Sequence, residues 1–249
     1  MALLATLRAP GQELAMSEKI LGVLGGMGPL ASAQFMLRLT LLTPAERDQE
    51  HIPAVLWSDP RVPDRTEARL GSGPDPLPWL VRGLDGLAAA GCGAVAIPCN
   101  TAHGWIEGMR AASKLPILHI IDAAAADLRR QGVAPGRVGV MGTAATLAMR
   151  LYQERLAELG WPTIEPDDAE MARLVSPAIA LVKANRVQDA YAPLVEVVAR
   201  LRDRGATAVV LGCTEIPLGI QAGPWQGLGV PLVDTIDALA RAAIAWARS

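Results

Sequence analysis

The sequence predicts an α/β fold of two pseudosymmetric lobes, each a mainly parallel sheet flanked by helices. Short aliphatic runs alternate with alanine-rich stretches of helical length along the chain, the pattern of βα units around a parallel sheet. The chain also repeats itself. Residues 93–101 and 206–214 are apolar runs that end in cysteine followed by small hydroxyl or amide residues, and residues 20–25 and 137–142 are strand-like runs entering a glycine turn. Gly22 and Gly139 lie 117 positions apart, Cys99 and Cys213 lie 114 apart, and the pairs Pro116/Pro231 and Asp122/Asp237 are each 115 apart. Four anchors in one order at nearly constant offset mark an internal duplication. With 249 residues, 51% of them hydrophobic, the chain is long enough to bury a substantial core.

Strands are expected at 20–24, 52–57, 93–97, 117–120, 137–141, 207–211 and 231–233, where the aliphatic runs fall. Helices are expected at 29–41, 76–90, 101–112, 122–131, 144–159, 168–183, 187–204 and 235–248. Pro29 stands at the start of the first of these, where its fixed φ suits a first helical turn. Residues 58–66 and 71–76 read as a proline-rich connection too irregular for a helix, and long loops of this kind often carry function. The chain is expected to cross between lobes near 115–119 and again near 230. That division gives one lobe of 19–116 plus 231–249 and another of 117–230, with the last helix packed back on the first lobe and an N-terminal extension at 1–18. Asp122 and Asp237 are expected to cap helices.

A formal charge of -2 with no basic block leaves no electrostatic footprint for nucleic acid, so a small molecule is the expected partner. No apolar segment reaches the roughly 20 residues that a membrane span needs. Three cysteines, at 92, 99 and 213, give neither a disulfide framework nor a metal-binding spacing, which points to the reducing cytoplasm. Cys92 precedes a strand where a small residue is expected and reads as structural.

Cys99 and Cys213 each follow a strand, where parallel α/β sheets collect their ligands. Two thiols approaching one carbon from opposite faces suit a reaction that inverts a stereocentre. A thiolate removes the α-proton and the opposite thiol returns one, because thiol and thiolate coexist near neutral pH when the surroundings shift the cysteine pKa. Asn100 and Thr101 after the first cysteine, and Thr214 after the second, can begin helices whose free N–H groups bind a carboxylate. The turn Gly25-Gly26-Met27-Gly28-Pro29 is a further anion nest with Met27 as pocket lining; it is not a GxGxxG motif. His103 stands one helical turn beyond Cys99, and Glu215 two residues beyond Cys213, each near enough to tune its thiol.

Gly-Val-Leu-Gly-Gly-Met-Gly-Pro at 22–29, Val-Pro-Asp-Arg-Thr at 62–66, Pro-Cys-Asn-Thr-Ala-His at 98–103 and Gly-Cys-Thr-Glu-Ile at 212–216 together resemble the aspartate/glutamate racemase superfamily, and within it the aspartate racemases. The resemblance spans nearly the whole chain from about residue 20. It implies two pseudosymmetric α/β lobes with the site in the cleft between them, racemisation of an acidic amino acid without cofactor or metal, a homodimer, and Cys99 with Cys213 as the acid/base pair. Arg65 matches the arginine of the Pro-Asp-Arg element, and Lys183 falls where aspartate racemases place a second cation. The resemblance gives these two the side-chain carboxylate, and a planar fork with a point charge suits a dianionic substrate.

Two departures matter. Gly-Gly-Met-Gly-Pro stands where cell-wall glutamate racemases carry Asp-Ser-Gly, and Ser58-Asp59-Pro60 is an atypical outer wall for the pocket. The Pro-Asp-Arg element, which relatives of broad substrate range tend to lose, favours an acidic substrate. A glutamate-preferring or broad-specificity racemase, a maleate isomerase or arylmalonate decarboxylase relative, and a non-enzymatic amino-acid sensor remain alternatives.

Overall fold

A computed structural model describes residues 19–249, so the extension expected at 1–18 lies outside the described residues. The chain runs β1 (Leu21–Gly25), α1 (Pro29–Leu42), β2 (Ala54–Ser58), α2 (Arg65–Leu70), α3 (Leu77–Ala89), β3 (Ala94–Ala96), α4 (Ile106–Ala112), β4 (Ile117–Leu118) and α5 (Ile120–Arg130). It continues with β5 (Val138–Gly142), α6 (Ala144–Ala148), α7 (Leu151–Glu158), β6 (Thr163–Ile164), α8 (Asp168–Glu170), α9 (Ser176–Lys183), α10 (Tyr191–Asp203), β7 (Ala208–Gly212), α11 (Glu215–Gln221), β8 (Leu232–Asp234) and α12 (Thr235–Ala247). The strands form two parallel four-stranded sheets with matching orders, β2-β1-β3-β4 and β6-β5-β7-β8. The duplication read from the four anchors is therefore one of topology as well as of sequence.

Central strands here bury both faces, which is why they read as continuous apolar runs and not as alternating ones. In β5, Val138 and Val140 face a core shared by both sheets, whereas Met141 faces a core private to the second lobe. In β1, Leu21 and Val23 join the shared core and Leu24 enters a private core of the first lobe with Leu80, Leu84 and Val95. The shared core is completed by Ile120, Ile121 and Leu128 of α5 and by Ile236, Leu239 and Ala243 of α12.

The crossings between lobes fall one strand later than expected. β4 pairs with β3 in the first sheet and β8 with β7 in the second, so the chain leaves each lobe after these strands. From there α5 packs on α7 and β8 of the second lobe, while α12 packs on α1 and β4 of the first.

Other departures have local causes. The helix expected at 144–159 breaks at Arg150, whose φ of 55° is left-handed. Within 168–183 a wide turn at Met171–Val175 separates α8 from α9. The two-residue β6 is closed in by Pro162 and Pro166, too short a run to signal a strand. Helix α2 lies inside the connection read as irregular; Asp64 caps its start by accepting from the N–H groups of Thr66 and Glu67, and Gly71 ends it at φ 84°. Neither Asp122 nor Asp237 is a cap. His119 and Asp234 hold those positions, Asp122 pairs with Arg155 at 2.7 Å, and Asp237 holds Arg38 through bonds of 2.5 and 2.7 Å.

His103, fully buried, ties the turn after β3 to the start of α5. Its Nδ1–H donates to the Cys99 carbonyl at 3.0 Å and its Nε2 accepts from the Ile120 N–H at 3.2 Å, which defines one neutral tautomer. Burial lowers its pKa from 6.5 to about 3.

Two expectations follow from this packing. Leu239→Ala, emptying a site in the shared core, should cost about 2–5 kcal/mol in urea unfolding. The unfolded chain takes up a proton on this histidine below its ordinary value, but the folded chain does not until about 3, so stability should fall as pH drops through that window. His103→Asn should flatten this limb, measured as the difference in unfolding free energy between about pH 4.5 and pH 7.

Candidate active site

The two cysteine turns meet where the lobes face each other. Cys99 follows a tight turn in which its N–H donates to the Ile97 carbonyl at 2.8 Å, and Cys213 follows Gly212 at the end of β7. Both thiols line one cleft, together with Met27, Asn100, Thr101 and Thr214. The cleft is narrow, and each of its two thiols is only 5% exposed. Cys99, Cys213, Asn100, Thr101 and Thr214 are all buried, so charges act on one another strongly here.

The turns are bonded to each other directly. Thr214 Oγ1 donates to the Pro98 carbonyl at 3.2 Å. Thr101 Oγ1 lies 3.0 Å from Thr143 Oγ1 and 2.9 Å from Thr146 Oγ1, which are 3.0 Å apart, a triangle of hydroxyls that spans the lobes. The Asn100 amide is held from both sides: Oδ1 accepts from Tyr152 Oη at 2.5 Å and Nδ2 donates to Thr235 Oγ1 at 3.2 Å.

The cationic end of the cleft comes from α2 and α9. Arg65, the first residue of α2, is only 8% exposed; its Nη1 donates to the carbonyls of Val62 and Pro63 at 3.2 and 3.0 Å, and its buried Nε has no partner among the described residues. Lys183, at the end of α9, reaches across to Asp64 Oδ2 at 3.3 Å. Burial pulls its pKa down, but the carboxylates of Asp64 and Glu215 outweigh this and raise it, so the ammonium stays charged. Outside the bridge a second cavity of about 330 Å³, also lined by Arg65, Lys183 and Glu215, opens beside Pro60 and Val62.

Glu215 sits between the first glycine turn and the second thiol. Its Oε1 accepts from the Gly28 N–H at 3.2 Å, and its Oε2 accepts from Cys213 Sγ at 3.1 Å. Burial, reinforced by this carboxylate, pushes the Cys213 pKa well above its ordinary value, so the resting group is a thiol. The wall that departs from the family pattern has a structural explanation. Gly26 adopts φ 91°, and a Cβ there would come within 2.5 Å of the Asp59 backbone. The Asp59 carboxylate is held well below the usual range by its bond to Arg61, with Arg82 adding a second.

Nine residues singled out from sequence, Met27, Arg65, Cys99, Asn100, Thr101, Lys183, Cys213, Thr214 and Glu215, line this one cleft. His103 does not; it lies behind Cys99, bonded to that residue's carbonyl and to the Ile120 N–H and set edge-on to the His119 ring. Asp64, Thr143, Thr146 and Tyr152 were not singled out as site residues. A Thr-x-x-Thr spacing after the second glycine turn signals the first hydroxyl pair, because Thr143 caps α6 by accepting from the Thr146 N–H. Tyr152 has only its rarity as a signal, one of two tyrosines in the chain. Cys92 is packed in the first lobe's private core. A separate cavity of about 900 Å³, beside Arg38, Gln131, Trp225 and Arg241, contains neither thiol of the cleft. Among the described residues no three His, Cys, Asp or Glu side chains are grouped to hold a metal, and no helix is long and apolar enough to cross a membrane.

Comparison with known proteins places this geometry in a family. The fold superposes on that of the Picrophilus torridus aspartate racemase with a TM-score of 0.81, at 33% identity over 92% of this chain and 94% of that one. The chain is 24% identical to the broad specificity amino-acid racemase RacX of Bacillus subtilis, over 90% of this chain and 96% of the relative. It is 32% identical to the glutamate racemase of Corynebacterium kroppenstedtii, over 59% of this chain and about half (51%) of that enzyme. The model of the Asp/Glu/Hydantoin racemase family matches residues 24–243, nearly the whole described chain, and the protein belongs to that family.

Proposed function

We propose that the protein interconverts the enantiomers of an acidic amino acid, aspartate foremost, by a cofactor-independent two-thiol mechanism. The observation that carries this reading is that Cys99 and Cys213, one from each lobe, line a single buried cleft that also holds Arg65 and Lys183. The likeness to an aspartate racemase across nearly the whole chain supports the same substrate.

In this reading the substrate's side-chain carboxylate lies on the unpartnered Nε of Arg65 and on Lys183, displacing Asp64 from the ammonium. Its α-carboxylate faces the hydroxyls of Thr101 and Thr143. In one direction Cys99 takes the Cα proton as the thiolate and the electron pair stays on Cα, delocalised into the carboxylate. Cys213, held as a thiol, delivers its proton to the opposite face. That turnover leaves Cys99 as the thiol and Cys213 as the thiolate, so in the reverse direction Cys213 takes the Cα proton and Cys99 returns one; Glu215 Oε2, 3.1 Å from Cys213 Sγ, is placed to hold the proton that Cys213 then carries.

Cys99→Ala and Cys213→Ala should each abolish net racemisation, followed by chiral chromatography, and the parent chain should incorporate solvent deuterium at Cα in D2O. Undiminished turnover in either variant would overturn the mechanism. Arg65→Ala removes charge-assisted bonds in a buried setting, each worth about 1.5–3 kcal/mol, so KM for aspartate should rise roughly 10- to 100-fold. Lys183→Met should act in the same direction, while alanine turnover changes little in both. Equal losses on alanine and aspartate would transfer the assignment to a broad-specificity racemase, the activity of the Bacillus subtilis relative.

A further inference from the structure

Tyr152 touches the neighbours of both thiols, although it lines no part of the cleft. Its ring is fully buried on α7, and the Cε2 edge lies 3.0 Å from where a Cβ on Gly212, the residue before Cys213, would stand. Its hydroxyl donates to Oδ1 of Asn100, the residue after Cys99, at 2.5 Å. From Asn100 the network returns to the second turn, because Nδ2 donates to Thr235 Oγ1 at 3.2 Å and Thr235 Oγ1 donates to the Leu211 carbonyl at 2.9 Å. The contacts form a loop: Gly212, the Tyr152 ring, Asn100, Thr235, Leu211. Every donor in it has one acceptor, so the Asn100 amide has a single orientation.

We propose that Tyr152 is a positioning residue that sets the separation and aim of the two thiols, with Thr235 as the second arm of the same brace. This assignment rests on the two-thiol reading given above. Proton abstraction on one face and delivery on the other tolerate little misalignment, since a displacement of about 1 Å costs as much as 100-fold in rate. Glycine at 212 belongs to the device: a side chain there would meet the Met141 carbonyl at 2.8 Å as well as the tyrosine ring. Burial raises the phenol's pKa above its ordinary value, so the hydroxyl keeps its proton and remains a donor at any working pH.

The test uses Tyr152→Phe, which keeps the ring and deletes the hydroxyl, and Thr235→Val, which cuts the other arm and leaves the phenol. Each should lower kcat for racemisation about tenfold or more in both directions with KM changed less than twofold. Each should also speed N-ethylmaleimide labelling of Cys99 and Cys213, read peptide by peptide by mass spectrometry, at least threefold. Cys92, buried in the first lobe's private core, is the internal control and should label at the parent's rate. Unchanged kcat and labelling in both variants overturns the assignment. So does Cys92 labelling that rises in step with the other two, or failure of both variants to fold, because the residues then serve stability and not alignment. A parent chain that racemises no acidic amino acid refutes the proposed function instead, and the labelling pattern still decides whether the brace exists.

Discussion

Everything in the site depends on two strand-end turns, Pro98-Cys99-Asn100 and Gly212-Cys213-Thr214, being held face to face by polar contacts between buried residues. The bond from Thr214 to the Pro98 carbonyl joins them directly, and the threonine triangle joins the first to the start of α6. Each such bond is modest in net energy, but leaving its buried partner unpaired is costly. The turns therefore have one low-energy arrangement. The apolar layers supply rigidity behind them, since the shared core runs under both sheets and does not divide between lobes.

The same burial governs the chemistry. A buried thiol beside a carboxylate keeps its proton, as Cys213 does. Only the arrival of a compensating charge or the transfer of that proton changes its state. At the other end Asp64 bridges to Lys183, whose charge Glu215 also favours, while Arg65 spends Nη1 on two backbone carbonyls and leaves Nε unmet among the described residues. In the proposed function, the second carboxylate of an acidic amino acid supplies what this buried guanidinium lacks.

Much of this was legible in the sequence. Periodicity and the fourfold offset gave the two lobes and their parallel sheets, because strands buried on both faces leave uninterrupted aliphatic runs. The cysteines were legible because they recur at the same place in each repeat. Arg65 and Lys183 needed the resemblance, since nothing in their spacing brings residues 118 positions apart into one cleft. Three kinds of feature were hidden. Helix α2 is made by a cap, Asp64, and a left-handed glycine, Gly71, on either side of a six-residue segment too short for a periodic pattern. The cap of α12 was assigned to Asp237 when Asp234 provides it, an error of one turn that periodicity cannot resolve. Tyr152 reads as an ordinary core residue, and its role depends on contacts with segments about 50 and 60 residues away.

The late crossings have a consequence for how such a chain could have arisen. Each repeat ends in a helix that also packs on the other repeat: α5 on α7 and β8, α12 on α1 and β4. Two separate half-length chains with this topology could cover these faces as an exchanged pair, each lending its terminal helix. Covalent fusion of such a pair keeps the exchange and frees the two copies to diverge, one ending its glycine turn in Met27 and the other in Thr143. Asymmetry of that sort is what a pocket needs when its two walls must grip different ends of one small molecule.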